Sequence, residues 1–180
     1  FRTNDILNGG EGAPLTPIFH ELLVSQKKIK LPVCVLNIGG ISNVTIIKTS
    51  ESSPCLFSKD IGPGNCLIDN WVRKNSDKKF DYNGELALRG IKNEIILEQA
   101  QELYANRKEK DKLSFDTSDF DISFARGLSL EDGAATLTEF TANIIASSLQ
   151  LLPENYKDGL RNVLVCGGGR RNEVLLNMII

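Results

Sequence analysis

Three glycine-rich turns, each directly after an apolar or β-branched run, constrain this chain more than any other feature. They read Asn37-Ile-Gly-Gly-Ile-Ser-Asn43, Asp60-Ile-Gly-Pro-Gly-Asn65 and Cys166-Gly-Gly-Gly-Arg-Arg-Asn172. Glycine has no Cβ, so backbone N–H groups in such turns can approach a phosphate closely. In α/β sheets ligands collect at the carboxyl ends of strands, and helix N-termini favour anions. A single glycine turn punctuates strands for structural reasons alone. Three in one chain of 180 residues, each closing a strand, point to a nucleotide site.

The segments between these turns alternate in period. The first 20 residues are punctuated by glycine and proline and lead from a loop into a short helix over 17–25. Residues 31–37 (LPVCVLN) form an apolar run too short for a helix, which predicts a buried central strand. Residues 43–49 are rich in β-branched side chains and predict a second strand that pairs with the first as a hairpin. A third strand is expected over 55–60. Pro63 suits the first turn of a helix whose Leu67, Ile68, Trp71 and Val72 share one face and which ends near Lys74. After a polar loop, residues 85–106 read as helix anchored by Leu86, Ile91, Ile95, Leu97 and Leu103, with a break near Gly90. Residues 108–124 are charged and irregular, a surface crossing.

Ser129 and Asp132 have the spacing of a capping box and introduce a long helix to about Leu152. Its core stripe is Leu137, Phe140, Ile144, Ile145 and Leu149, and Pro153 stops it. Residues 161–166 predict another buried strand, and a terminal helix starts near Asn172. Three strands, then helices, then strand-turn-helix define an α/β chain with no internal repeat.

Composition excludes several functions. Lys plus Arg total 21 against 23 for Asp plus Glu, a net charge of -2. A dedicated nucleic-acid binder carries a basic excess, so that class is excluded. No run of 18 apolar residues is present to span a membrane and no signal-peptide pattern is visible, so a cytoplasmic protein is expected. Cys34, Cys55, Cys66 and Cys166 lack zinc or disulfide-framework spacing and read as reduced, mostly buried small hydrophobes. One histidine, His20, leaves no partner for a histidine-based triad or a histidine-rich metal site.

Asp60 ends a predicted strand directly before the second glycine turn, where a carboxylate can face a cleft. Phosphoryl transfer needs positioning, charge neutralisation and a group that takes the acceptor's proton. Asp60 suits that role, or that of orienting a water or Mg²⁺. It equally suits a helix cap accepting N–H bonds from Gly62 or Gly64. Asp69 reads as a surface or helix-dipole contact, Trp71 as core, and His20 as a packed or hydrogen-bonded side chain. Asp116, Asp119 and Asp121 lack the glycine of a calcium loop and read as solvated.

Four blocks together, GGEGAPLTPIFH, LNIGGISNVT, KDIGPGNCLIDNW and VCGGGRRNEVLL, resemble the bacterial 1,6-anhydro-N-acetylmuramic acid kinases in order and approximate spacing over nearly the whole chain. The resemblance implies part of a two-lobed sugar kinase/actin-like (ribonuclease H-like) ATPase fold. Residues 1–30 would end the first lobe and connect the two, and 31–180 would form most of the second. It implies ATP and Mg²⁺ as cofactors and a small amino sugar as partner, whose 1,6-anhydro ring is opened and whose 6-hydroxyl is phosphorylated in peptidoglycan recycling. A homodimer is implied as well.

The motif aspartate that acts as base matches Asp60. The nucleotide-binding positions match Asn37, Gly39, Gly40, Gly62, Gly64, Asn65, Gly167, Gly168, Gly169 and Asn172; Asn43 and His20 match the sugar side. No metal ligand is carried over. The family's N-terminal G-T-S-x-D-G loop is absent, and a K-S-T-G-R-E-like segment stands here as KLSFDTSDF (112–120) without its glycine and arginine. The opening on Phe1 and the apolar close read as cut ends, so the isolated chain is expected to lack turnover. The competing expectations are an inactive relic and a non-catalytic module that binds nucleotide or muropeptide.

Overall fold

The computed structural model describes residues 16–49, 55–106, 114–152 and 162–179, with the single positions 3, 7, 154 and 160. Most of the expected N-terminal loop and residues 108–113 of the expected surface crossing therefore lie outside the described residues. Four strands, β1 (Val33–Ile38), β2 (Ile41–Lys48), β3 (Cys55–Pro63) and β4 (Val163–Cys166), form one sheet in the order β3-β2-β1-β4. The β1–β2 and β2–β3 pairs are antiparallel and β4 lies parallel to β1. A parallel neighbour requires a long crossover. Here it runs through β2 and β3 and then α2 (Cys66–Asn75), α3 (Glu85–Arg89), α4 (Glu94–Ala105) and α5 (Leu130–Gln150). Helix α1 (Pro17–Gln26) precedes the sheet and α6 (Glu173–Ile179) follows β4.

The apolar runs are continuous because the sheet is covered on both faces. Cys34, Leu36, Ile38, Val44 and Ile46 pack against Ala142 and Ile145 of α5 and Leu175 of α6. Val33, Val35 and Ile47 on the other face meet Val24 of α1. A second core lies among the crossover helices, where Leu67, Ile68, Trp71 and Val72 pack with Leu137 and Phe140 as the 3.6-residue spacing predicts. Trp71 belongs to this core and its indole N–H donates to the Leu130 carbonyl at 2.9 Å. No helix among the described residues is long and apolar enough to cross a membrane.

Several expectations need correction. Pro63 closes β3, so the third strand runs past Asp60 and the helix begins at Cys66. The 85–106 helix does break at Gly90, where the backbone abuts the Glu131 carbonyl too closely for any side chain. Asn93 then caps α4 by accepting from the Ile96 N–H at 3.1 Å. In the second helix Leu97 and Ala100 face the core, whereas the expected anchors Ile91, in the link after the break, and Ile95 and Leu103 are 80%, 69% and 70% exposed. Ser129 caps α5 as expected, but the Asp132 carboxylate accepts from the Ile91 N–H instead of completing a capping box. Cys55 is exposed, against the expectation of mostly buried thiols. The supposed polar loop before α3 holds a buried carboxylate: Asp81 accepts N–H bonds from Leu86 and Ala87 at 2.8 and 3.0 Å. Within the surface crossing, Phe120 and Ile122 are core residues.

Removing the Asp81 carboxylate leaves two helix-start amides without their acceptor. Asp81→Ala is expected to lower unfolding free energy by about 2–4 kcal/mol. Urea unfolding checks this as a shifted midpoint with an unchanged slope.

Candidate functional site

The three glycine turns, separated in sequence, meet at the carboxyl end of β1 and β4. The amides of Gly64, Asn65 and Cys66 donate to the carbonyls of Gly40, Gly39 and Gly40 at 2.9, 2.8 and 3.2 Å. Asn65 Nδ2 adds bonds to the carbonyls of Gly39 at 2.9 Å and Ile38 at 3.3 Å. A side chain at Gly64 would collide with the Gly39 carbonyl, so this close approach needs glycine. From the other side Gly167, at φ +83°, sits against the Ile38 carbonyl and the Asn37 side chain. Gly169 packs on Ile38, and the open side of Gly168 faces Asn65. Asn37, Gly39, Gly40, Gly64, Asn65, Gly167, Gly168 and Gly169 thus form one platform. Asn172 stands beside it and caps α6, its Oδ1 accepting from the Leu175 N–H at 3.0 Å.

A polar row crosses the whole sheet at this end. Cys166, Asn37, Asn43 and Asp60 are successive direct partners on β4, β1, β2 and β3. The ladder slips between Ser42 and Asn43, so Asp60 opposes Asn43 while Gly62 opposes Ser42 and Ile61 bulges out. Ser148 of α5 braces the bulge by donating to the Ile61 carbonyl at 2.9 Å. Asp60 is 4% exposed, and its Oδ2 accepts the Phe115 N–H at 2.8 Å. Gly64 directs its amide to Gly40, so it does not make Asp60 a helix cap. Asn43 is buried, and its Oδ1 has no hydrogen-bond partner among the described residues. A buried acceptor without a donor is costly unless a ligand completes it.

One step down the same face, Thr45 opposes Ser58. Nδ1 of His20 on α1 bonds to Thr45 Oγ1 at 2.8 Å, and Ser58 Oγ donates to the Val44 carbonyl at 2.9 Å. Thr45 and Ser58 were missed in the sequence. The available signal was their two-residue spacing from Asn43 and Asp60, which puts all four on one sheet face. Burial holds the His20 imidazole below its ordinary pKa of 6.5. Burial also pushes the Cys34 thiol up to about 12 and raises Cys166 against the opposing pull of Arg170. Neither thiol is an activated nucleophile.

Asp69 lies in the first turn of α2, 3.9 Å from Arg73, and its carboxyl is raised by burial, with Arg73 opposing and Asp81 adding to the shift. Asp116 is exposed, with Asp119 closing a one-turn helix start. A cleft of about 890 Å³ opens between β3, α4 and α5, with Asp60, Tyr104, Phe115, Asn143 and Ser147 in its wall. Among the described residues, no group of three or more His, Cys, Asp or Glu side chains could hold a metal ion.

A β-meander extended by a parallel fourth strand, with crossover helices on one face, is the mixed α/β arrangement of the sugar kinase, actin and heat-shock ATPase fold. The model of the anhydro-N-acetylmuramic acid kinase family matches residues 1–180, and the chain belongs to that family. It is 50% identical over 179 residues to the anhydro-N-acetylmuramic acid kinase of Pelagibacter ubique, covering 99% of this chain and 48% of that protein. The like-named proteins of Zymomonas mobilis and Gluconobacter oxydans are 40% and 39% identical over 99% and 98% of this chain, and 47% and 48% of their own lengths. The chain spans about half the length of the curated relatives it matches.

Because His20 is held neutral, its contribution to stability is complete above pH 6.5 and is lost as pH falls through its lower folded-state value. Urea unfolding at pH 7.5 and 5.5 is expected to show a larger acid loss for the wild type than for His20→Gln.

Proposed function

We propose that this chain carries the nucleotide platform and base of a kinase that opens 1,6-anhydro-N-acetylmuramic acid and phosphorylates its 6-oxygen. The observation that carries this reading is the meeting of three glycine turns beside the buried Asp60 carboxylate. The platform fits a nucleotide, because at Gly39, Gly40 and Gly168 no atom lies closer than 3.4 Å to where a Cβ would stand, which leaves bare backbone for a ligand to approach. Gly39, Gly40 and Asn37 would face the phosphates and Gly167, Gly168 and Gly169 the adenosine, with Gly62 and Asn172 at the margins. Gly64 and Asn65 serve by bracing, since their amides already hold the Gly39–Gly40 turn. ATP, with Mg²⁺, supplies the transferred phosphoryl group when bound.

Asp60 accepts a proton from the water that attacks the anomeric carbon. The bond from that carbon to the 6-oxygen breaks, and the freed oxygen becomes the acceptor. The Asn43 Oδ1, without a partner among the described residues, supports a hydrogen bond from a sugar donor, and His20 holds α1 against the same face. Residues 1–30 would connect to a first lobe; the exposed Ile18, Phe19 and Leu22 of α1 suit such a neighbour. A cytoplasmic homodimer belongs to the same reading.

Asp60→Asn is expected to lower kcat by about 10²–10⁴-fold while ATP still binds. Steady-state ADP release and calorimetric ATP titration, on protein expressed from its whole reading frame, separate a lost base from a lost site. Unchanged turnover refutes the assignment. Gly64→Ala is expected to weaken ATP about tenfold, 1.4 kcal/mol, by displacing the braced turn. The same titration reads it.

A further inference from the structure

The amide that meets Asp60 comes from 55 residues further along the chain. Phe115 sits in a segment with no long element of its own, yet that segment is anchored on both sides. Asp116 and Asp119 bracket the single turn Thr117–Asp119. The Asp116 N–H donates to Asp119 Oδ2 at 2.8 Å, and Ser118 donates through N and Oγ to Asp116 Oδ1 at 3.0 Å each. On the inner side the Phe115 ring meets Phe120 edge-on at 5.5 Å. Phe120, 8% exposed, stacks at 6.3 Å on Tyr104 of α4, which packs edge-on against Phe140 of α5. The Thr117 methyl is also the nearest group to the open side of Gly40. The segment 115–119 therefore meets the carboxylate at one end and lies beside the glycine platform at the other.

We propose that Asp119 is a positioning residue for Asp60: it fixes the Asp116 backbone, and through it the Phe115 amide that orients the Asp60 carboxylate. This rests on the reading of Asp60 as the base. An N–H donor on a carboxylate favours the ionised form and holds one rotamer. Small displacements of a reacting group cost large factors in rate. A bracket that only closed a surface turn would alter neither the rate nor the titration of a side chain on β3.

Asp119→Ala removes the acceptor, whereas Asp119→Asn keeps an oxygen in its place. In the protein expressed from its whole reading frame, Asp119→Ala is expected to lower kcat about tenfold or more with both KM values within about twofold. The acid limb of its kcat profile moves to higher pH, and Asp119→Asn restores most of the rate. Wild-type kcat in Asp119→Ala, or a change confined to KM, overturns the inference. A second readout needs no turnover: a carbon-13 titration of the Asp60 carboxyl is expected to move upward in Asp119→Ala, and an unmoved curve overturns the inference by itself. If Asp60→Asn retains full turnover, the base assignment falls, while this titration still decides whether Asp119 governs Asp60.

Discussion

The first turn of α2 is capped by another loop's backbone, and the rest of the site depends on that contact. Asn65 occupies the N-cap position but makes no side-chain cap of its own helix. The amides of Gly64, Asn65 and Cys66 instead end on the Gly39 and Gly40 carbonyls, with the Asn65 side chain reinforcing them. Helix-start amides must find acceptors. Here the acceptors belong to the β1–β2 hairpin, so the same bonds that satisfy the helix also hold the hairpin turn rigid. They fix the exit of β3 as well, and with it the height of Asp60 on the sheet.

Above the apolar layers that bury Val33, Val35 and Ile47, one sheet face turns polar towards its carboxyl end. Thr45 with Ser58 and then Asn43 with Asp60 follow one another at two-residue intervals. His20 ties α1 to the first pair. Buried polar groups are tolerable only when partnered, so this gradient concentrates the demand for hydrogen bonds at one edge of the core. The bulge at Ile61 lets Asp60 keep its register opposite Asn43 while the chain turns towards Gly62 and Pro63.

Much of this was legible in the sequence. The apolar run at β1, the amphipathic face of α2 and the Ser129 cap of α5 are local patterns, and the structure carries all three. Gly90 was visible as a break, but its consequence was not. Ile91 falls in the link after the break and Ile95 on the outer face of α4, opposite the Leu97 and Ala100 that reach the core. The buried Asp81 carboxylate and the Phe120 core contact were hidden because charged and irregular segments carry no period to read. The partner of Asp60 was hidden for another reason: the donor is a backbone amide, and every residue has one.

The sequence by itself determined where β1, β2 and β4 stop and the chain turns, because apolar runs and glycines act within a few residues of where they stand; the end of β3, at Pro63 and not Asp60, it did not. It also determined the family, through four blocks in fixed order. Only the tertiary structure decided that the three glycine turns share one platform. It also decided that Gly64 and Asn65 brace that platform with amides already bonded, and that a turn after α4 holds the carboxylate. Those relations depend on which distant backbone groups satisfy one another, and hydrogen-bond pairing across 26 or 55 residues leaves no mark in local composition.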